Sequence, residues 1–441
     1  MAVILSPEGR LIFLGRALRS FSFGWLSVIL ALYLDERGFS AAEIGAVFTA
    51  TMVEDALLTM FLSTVAARVG PARVMAATAP LVAVGGLLLA TADRRWLLLA
   101  GAVLGTLSPN GQEAGPFAPM EQALLPGTVR SGRVVRVFGW YNVFAFLPAA
   151  AGAGAAGATL GWALGRGVGT LRAQQGMLLG YAAAGVALTI LYSVLATRCR
   201  EQGVGARPET LGSLGLGRSR AVVLQLASLQ GVDALAGGFI MQSLLAYWFH
   251  VRFGVGPEAL GALFFGTNLL SALSFLVAAR VGERIGLLNT MVFTHLPSNV
   301  LLLGVPFMPS FASAGGLLLV RHLLSQMDVP TRQAYTMALV APEERAAASG
   351  LTASVRALAQ ACAPLVAGLT MAVAASPAPF LFAGGLKIAY DLSLFFRFRS
   401  VPLDSGSGAA GPGTSLQTTA SAISGAITSE AARTRVRATR R

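Results

Sequence analysis

Charge is what this sequence has least of. Only 12% of its 441 residues are Asp, Glu, Lys or Arg, about half of the roughly 25% typical of a soluble domain. With 55% hydrophobic residues and a mean hydropathy of +0.67, there is too little polar surface to solvate a folded body this large. Lipid is its natural solvent. Lysine occurs once, as Lys387, against thirty-two arginines; no charge chemistry requires that ratio, and it reads as genomic codon bias. The two cysteines, Cys199 and Cys362, sit far apart in unlike settings, which excludes a disulfide framework and a cysteine metal site. No spacing of His, Cys and carboxylates suggests a structural metal, and no cofactor is expected. The formal charge of +13 comes from arginines scattered between apolar runs; without a basic, aromatic-studded face, nucleic acid is not an expected partner. The first apolar run lacks a convincing small-residue cleavage site, so it is expected to stay as a span.

What the chain has in quantity is long apolar runs. A spanning helix needs about 20 mostly apolar residues, and twelve runs qualify: 11–34, 41–66, 73–91, 96–125, 134–162, 176–197, 221–249, 257–280, 289–308, 312–340, 346–373 and 378–397. The expected fold is an all-α polytopic membrane protein. Its parts are an N-terminal six-helix bundle (1–197), a Gly- and Pro-containing cytoplasmic linker (198–220), a C-terminal six-helix bundle (221–397) and a disordered basic cytoplasmic tail (398–441). With the N-terminus inside, twenty-one arginines fall on the inner side and six, Arg37, Arg94, Arg95, Arg166, Arg172 and Arg252, on the outer side. By the positive-inside rule this predicts a cell-membrane protein with both termini cytoplasmic.

An internal repeat organises the runs. At an offset of 216, Gly38 and Gly45-Ala46-Val47-Phe48 recur as Gly254 and Gly261-Ala262-Leu263-Phe264; Arg68 and Gly70 recur as Arg284 and Gly286; Pro126 recurs as Pro342. The matches fall at equivalent loops, as expected of a duplicated unit.

Twelve spans in two parallel six-span repeats resemble the major facilitator superfamily of secondary transporters. The family loop after span two reads Gly-x-x-x-Asp-Arg-x-Gly-Arg-Arg; here Ser63, Ala67, Arg68, Gly70 and Arg73 stand in it, without the leading Gly and the Asp. The second half keeps Glu283-Arg284-Ile285-Gly286, with an acid in the Asp position. In the family such loops latch the cytoplasmic side in the outward-facing state, so the resemblance implies gating by Glu283, Arg284 and Gly286, and more weakly by Arg68, Gly70 and Arg73; simple positive-inside anchoring is the alternative for Arg73. The stretch from Asn110 to Gln122, Trp140-Tyr141-Asn142, and Met327 to Gln333 look like uncharacterised bacterial members. The antiporter signature of span five is imperfect, with Leu147 before Pro148 and Ala151-Gly152 after it. Small residues in the same span, among them Gly157 and Gly161, suit close helix contacts during rocking.

Ionised groups inside the membrane are functional candidates, because each costs roughly 2.5–3.5 kcal/mol to insert unless it faces a cavity or a partner. On span ten, Arg321, Ser325, Asp328, Arg332 and Tyr335 fall within about 40° of one line. Asp328 and Arg332 are one turn apart and can pair, and Pro330 between them invites a bend. The alternative is a static salt bridge to a neighbouring span. On span four, Glu113 near mid-depth is placed to carry a proton and release it when an arginine approaches; a permanent arginine pair is the alternative. Glu121, near the cytoplasmic end, is expected to snorkel or join a gate. Arg19, Asp233 and Asn268 join the substrate-binding candidates, the first two because spans one, four, seven and ten line the family's cavity. Asp55, which could pair with an arginine of span one, joins Glu113 and Asp328 as a proton-coupling candidate. Arg356 and the i, i+4 pair Lys387 and Asp391 read as structural, and His250, His295 and His322 as hydrogen-bonded bystanders.

These features predict a secondary carrier that moves a small organic solute by alternating access, coupled to protons, without enzymatic chemistry. It is expected to work as a monomer in the bilayer. Efflux comes first; proton-linked uptake of an organic anion is the alternative, and a transporter-like sensor that binds without transport is the alternative of another class.

Overall fold

The computed structural model describes residues 5–105, 107–111, 116–129, 134–201, 219–340, 344–372 and 376–399. Most of the expected linker, the tail from residue 400, and Glu113, Arg130 and Arg133 lie outside the described residues. Fifteen α-helices are described. The first half contains α1 (Pro7–Glu36), α2 (Ala41–Val69), α3 (Pro71–Thr91), α4 (Arg95–Leu104), α5 (Phe117–Leu124), α6 (Val134–Gly165) and α7 (Thr170–Glu201). The second contains α8 (Arg220–Gly238), α9 (Gln242–Phe253), α10 (Pro257–Ile285), α11 (Leu287–Gly304), α12 (Phe311–Ser325), α13 (Asp328–Ala338), α14 (Arg345–Met371) and α15 (Ala378–Phe398).

Ten stretches are long and apolar enough to cross a membrane. The other two of the twelve spans are assembled from shorter pieces, α4 with α5 and α12 with α13. Spans four and ten are therefore not the continuous helices expected over 96–125 and 312–340. Span seven is also interrupted, between α8 and α9 at residues 239–241. Pro109 and Pro116 flank the break in span four. In span ten the break falls at Gln326 and Met327, ahead of Pro330, which sits in the first turn of α13; proline lacks the N–H a helix interior needs but is tolerated in a first turn.

The repeat is visible helix by helix. The bounds of α2 (41–69) and α10 (257–285) differ by 216 at both ends, and α3 and α11 start 216 apart, as do α4 and α12. At the joint between the second and third span of each half the chain turns on a glycine, Gly70 (φ 97°) or Gly286 (φ 87°). A side chain with a Cβ is disfavoured in that conformation. Serine caps start the helices: the Ser40 hydroxyl accepts from the Glu43 N–H while the Glu43 carboxylate accepts from the Ser40 N–H at 2.7 Å, a reciprocal cap that satisfies two orphan donors.

The halves meet along two seams, α2 on α14 and α6 on α10. Each seam closes on facing glycines. A Cβ on Gly45 would stand 2.3 Å from the Pro364 carbonyl oxygen and 3.0 Å from Gly368 Cα, and one on Gly261 would stand 2.7 Å from Gly157 Cα. These contacts lie at the end carrying the loops 37–40, 166–169 and 254–256, so the molecule is sealed there. At the other end Arg68, Arg73, Glu283 and Arg284 are exposed, and among the described residues none of them forms an ion pair. The outer surface is apolar, with Phe61, Trp96, Trp162, Ile190 and Phe396 at least 60% exposed, as a lipid-facing surface requires.

Candidate transport site

The interrupted spans surround a cavity of about 420 Å³ between the halves. A sealing network forms its floor. Ser27 of α1 and Gln242 at the start of α9 face each other across the halves, and Gln242 Nε2 donates to Ser27 Oγ at 2.6 Å. Asn268 Nδ2 donates to Gln242 Oε1 at 3.2 Å, and the Ser243 N–H donates to the Pro109 carbonyl at 3.0 Å. The breaks in spans four and seven thus expose backbone groups that the opposite half satisfies. Irregular backbone at this depth is tolerated because it lines a cavity and is paired.

The cavity walls are strongly cationic. Arg16, Arg321, Arg332, Arg356 and Lys387 line it with only two described carboxylates, Asp233 and Asp328. Asp233 is the hub: its Oδ1 accepts from Lys387 Nζ at 2.5 Å, and its Oδ2 from Arg332 Nη1 at 2.9 Å and Arg356 Nη1 at 3.2 Å. Arg332 also donates to Asp328 Oδ2 at 2.9 Å. One turn of helix spaces Asp328 and Arg332, so α13 folds its own pair, whereas α8, α14 and α15 must pack together before Asp233 meets its cations.

Arg321 stands apart. It is 6% exposed and lines the cavity, yet no described carboxylate lies within ion-pair distance and its Nε has no hydrogen-bond partner. Its contact is Nη1 to His322 Nε2 at 3.3 Å. The Ser271 hydroxyl donates to the Thr267 carbonyl at 2.8 Å, so at Ser271 Oγ, 3.0 Å away, His322 Nδ1 must be the donor. A hydroxyl has one proton to give. His322 is therefore a neutral ring whose Nε2 accepts from Arg321.

Several expectations change. Arg19 does not line the cavity; its fork grips both oxygens of Glu121 at 2.9 Å. Glu121 is 0% exposed and also accepts from the Tyr141 and Tyr192 hydroxyls at 2.8 and 2.7 Å. It does not snorkel, because four donors converge on it inside the first half. Asp55 is half-buried on α2 and does not line the cavity, and Glu54 beside it lines a separate apolar groove with Phe61 and Leu365. Lys387 and Asp391 are not partners: Lys387 reaches Asp233, while Asp391 accepts from His295 Nδ1 at 2.8 Å and from Asn299 Nδ2 at 2.9 Å. His295 is a buried mid-helix residue of α11, and Arg356 lines the cavity. Asp233 and Asn268 line it too, but Asp233 engages cations and Asn268 the floor. The missed residues Arg356, Lys387, His295 and Arg16 share a usable signal, an ionisable group within an apolar run.

Comparison with known proteins agrees with the geometry. Residues 12–325 match the Major Facilitator Superfamily family, and the chain belongs to that family of membrane transporters. It is similar to an uncharacterised membrane protein of Saccharomyces cerevisiae, YJR124C, at 22% identity over 90% of this chain and 95% of the relative. The crystal structure of the nucleoside transporter NupG superposes with a TM-score of 0.67 at 13% identity, covering 89% of this chain and all of that one. The human organic anion transporter MFSD10 superposes with a TM-score of 0.59 at 19% identity, covering 88% and 100%. At these identities the two structures share the fold. The protein is a membrane transporter and not an enzyme.

Proposed function

We propose that this transporter moves a small organic anion by alternating access, coupled to protons, with the anion held between the halves against Arg321. The carrying observation is Arg321 itself, a buried guanidinium lining the cavity with no described carboxylate to balance it. A buried charge with no described carboxylate at contact is costly, and an anionic solute supplies a partner there with two parallel hydrogen bonds. The cationic majority among the lining residues supports the same reading, and a cavity of this size suits a drug-sized or smaller solute. The anion chemistry favours proton-linked uptake over efflux of an uncharged compound.

By the arginine asymmetry we place both termini on the cytoplasmic side of the cell membrane, working as a monomer. The sealed end then faces outward and the cavity is reached from the cytoplasm. Arg68, Gly70, Arg73, Glu283, Arg284 and Gly286 would approach one another when that end closes. Asp328 and Arg332 position the site, and Glu113 is a candidate gate for protons.

Counterflow in proteoliposomes tests the proposal, with radiolabelled benzoate, succinate and uridine 5′-monophosphate as probes and uridine as the uncharged control. Exchange of an anion by the native protein, lost in Arg321→Gln with the unfolding temperature retained, supports it. Exchange of uridine alone, equal in native protein and variant, rejects it; binding of an anion without exchange identifies a sensor.

A further inference from the structure

Around His295, the hydrogen-bonded acids and bases that meet at the cavity wall pair three to three when the ring is neutral. Asp233, Asp328 and Asp391 supply three negative charges, and Lys387, Arg332 and Arg356 supply three positive ones. His295 of α11 stands between two of the carboxylates. Its Nδ1 is 2.8 Å from Asp391 Oδ1, and its Nε2 is 3.9 Å from Asp233 Oδ1. Asn299 Nδ2 donates to the other Asp391 oxygen at 2.9 Å and also stands 3.2 Å from His295 Nδ1, a longer contact than the 2.8 Å from that nitrogen to the carboxylate. Asp391 has no proton of its own to offer as a carboxylate, so the imidazole proton of the neutral ring sits on Nδ1 and a lone pair is left on Nε2. That lone pair faces Asp233 at a distance too long for a hydrogen bond. His295 also lines the cavity.

We infer that His295 Nε2 is the binding site of the coupled proton. The inference rests on the anion reading of the cavity and names its second ligand. The surrounding groups define the environment on every side: Asp391, Lys387 and the edge-on ring of Tyr390 from α15, Asp233 from α8, Asp328 and Arg332 from α13, Arg356 from α14, and Arg321 with neutral His322 from α12. A proton on Nε2 gives the ring a donor at both nitrogens and one carboxylate for each. It also gives the cluster one net positive charge. Asp233 then has a fourth cation to serve with two oxygens. The contact most easily surrendered is the one to Arg356, whose side chain is 29% exposed against 7–8% for Arg332 and Lys387, and whose distance, 3.2 Å, is the longest of the three. Arg356 is thereby released toward the cavity, where an anion takes the place of Asp233. Proton and anion bind together, one proton per anion. Histidine suits the task because its neutral ring keeps one nitrogen free to take a proton.

The chain has three histidines, so the full-length protein labelled with carbon-13 on its imidazoles, in nanodiscs, gives a spectrum in which His295 is assigned as the signal lost in His295→Gln. With no solute present, the His295 signal should show the neutral ring with its proton on Nδ1, and anion binding at the same pH should convert it to the doubly protonated ring. Asp391→Asn should weaken that conversion, because the carboxylate that favours the charged ring is gone. Benzoate, succinate and uridine 5′-monophosphate are then added at constant pH in weak buffer with a pH indicator. Each anion that binds should take up one proton in the native protein and none in His295→Gln. A His295 ring that stays neutral when an anion binds, a conversion unmoved by Asp391→Asn, or proton uptake that persists in His295→Gln overturns the inference, the last result leaving the anion site standing. Protonation of His295 with no anion bound by any probe would instead overturn the anion reading and keep the proton site.

Discussion

The Ser243 hydroxyl donates to the Ser27 carbonyl oxygen at 3.0 Å, and the two residues are 216 positions apart. That is the offset of the internal repeat, so each serine is the other's counterpart and the two halves touch at symmetry-related points. A contact between equivalent positions lies on the pseudo-twofold axis that relates the halves. The floor of the cavity is thus built on that axis, with Gln242 and Asn268 extending the tie to one side.

The charge on Arg321 is expected to serve solute and not stability. Arg321→Gln should weaken binding of the transported anion roughly ten- to hundredfold, since a hydrogen bond to a charged group contributes about 1.5–3 kcal/mol. The unfolding temperature should hold or rise, because a buried charge with no described carboxylate within ion-pair distance has been removed. Ligand-induced thermal shift measures both.

Glu121 offers the opposite case. Glu121→Gln leaves Arg19 buried without its carboxylate and should cost about 3–5 kcal/mol of stability, with anion affinity in the surviving folded protein unchanged, because neither residue lines the cavity. Thermal unfolding and binding isotherms separate the two effects.

Asp233→Asn strips one acceptor from Lys387, Arg332 and Arg356 together and should destabilise as strongly, about 3–5 kcal/mol. Adding Lys387→Met should recover part of the loss, since it removes the cation with the shortest contact to Asp233. A double-mutant cycle on the unfolding temperature tests the coupling.

At the seams, Gly45→Val puts a side chain into the Pro364 carbonyl and should prise the sealed end apart. A cysteine at Ser27, unreactive in the native background, should then be labelled by a membrane-impermeant maleimide from the sealed side. Gly261→Val is expected to do the same through Gly157.

At the other end, Arg68→Ala and Arg284→Ala should change the stability of this state by no more than about 0.5 kcal/mol, as exposed and unpaired groups do. Transport rates should nevertheless fall, because the proposed latch acts only when that end closes. Stability and counterflow rate measured on one preparation provide the check.

How much of this was legible beforehand differs by residue. The twelve spans, the repeat and the stripe from Arg321 to Arg332 could be read because they depend on apolar length and on the 3.6-residue period, both local properties. Asp328 and Arg332 pair as their spacing requires. Lys387 and Asp391 have the same spacing and do not pair, because Asp233 on one neighbouring helix and His295 on another offer better partners. Arg19 and Glu121 are 102 residues apart, and nothing in either run indicates the other.

The sequence by itself determined that this chain is a duplicated bundle of membrane helices carrying a few charges at depth, since hydropathy and repetition are written along the chain and hydrocarbon permits few other solutions. Only the tertiary structure decided which charge answers which. In a medium that solvates no ion, every acid takes the nearest cation in space, and packing sets those distances. Arg19 was withdrawn from the cavity by Glu121, Asp233 gathered three cations from three helices, and Arg321 was left in the cavity with no described carboxylate beside it.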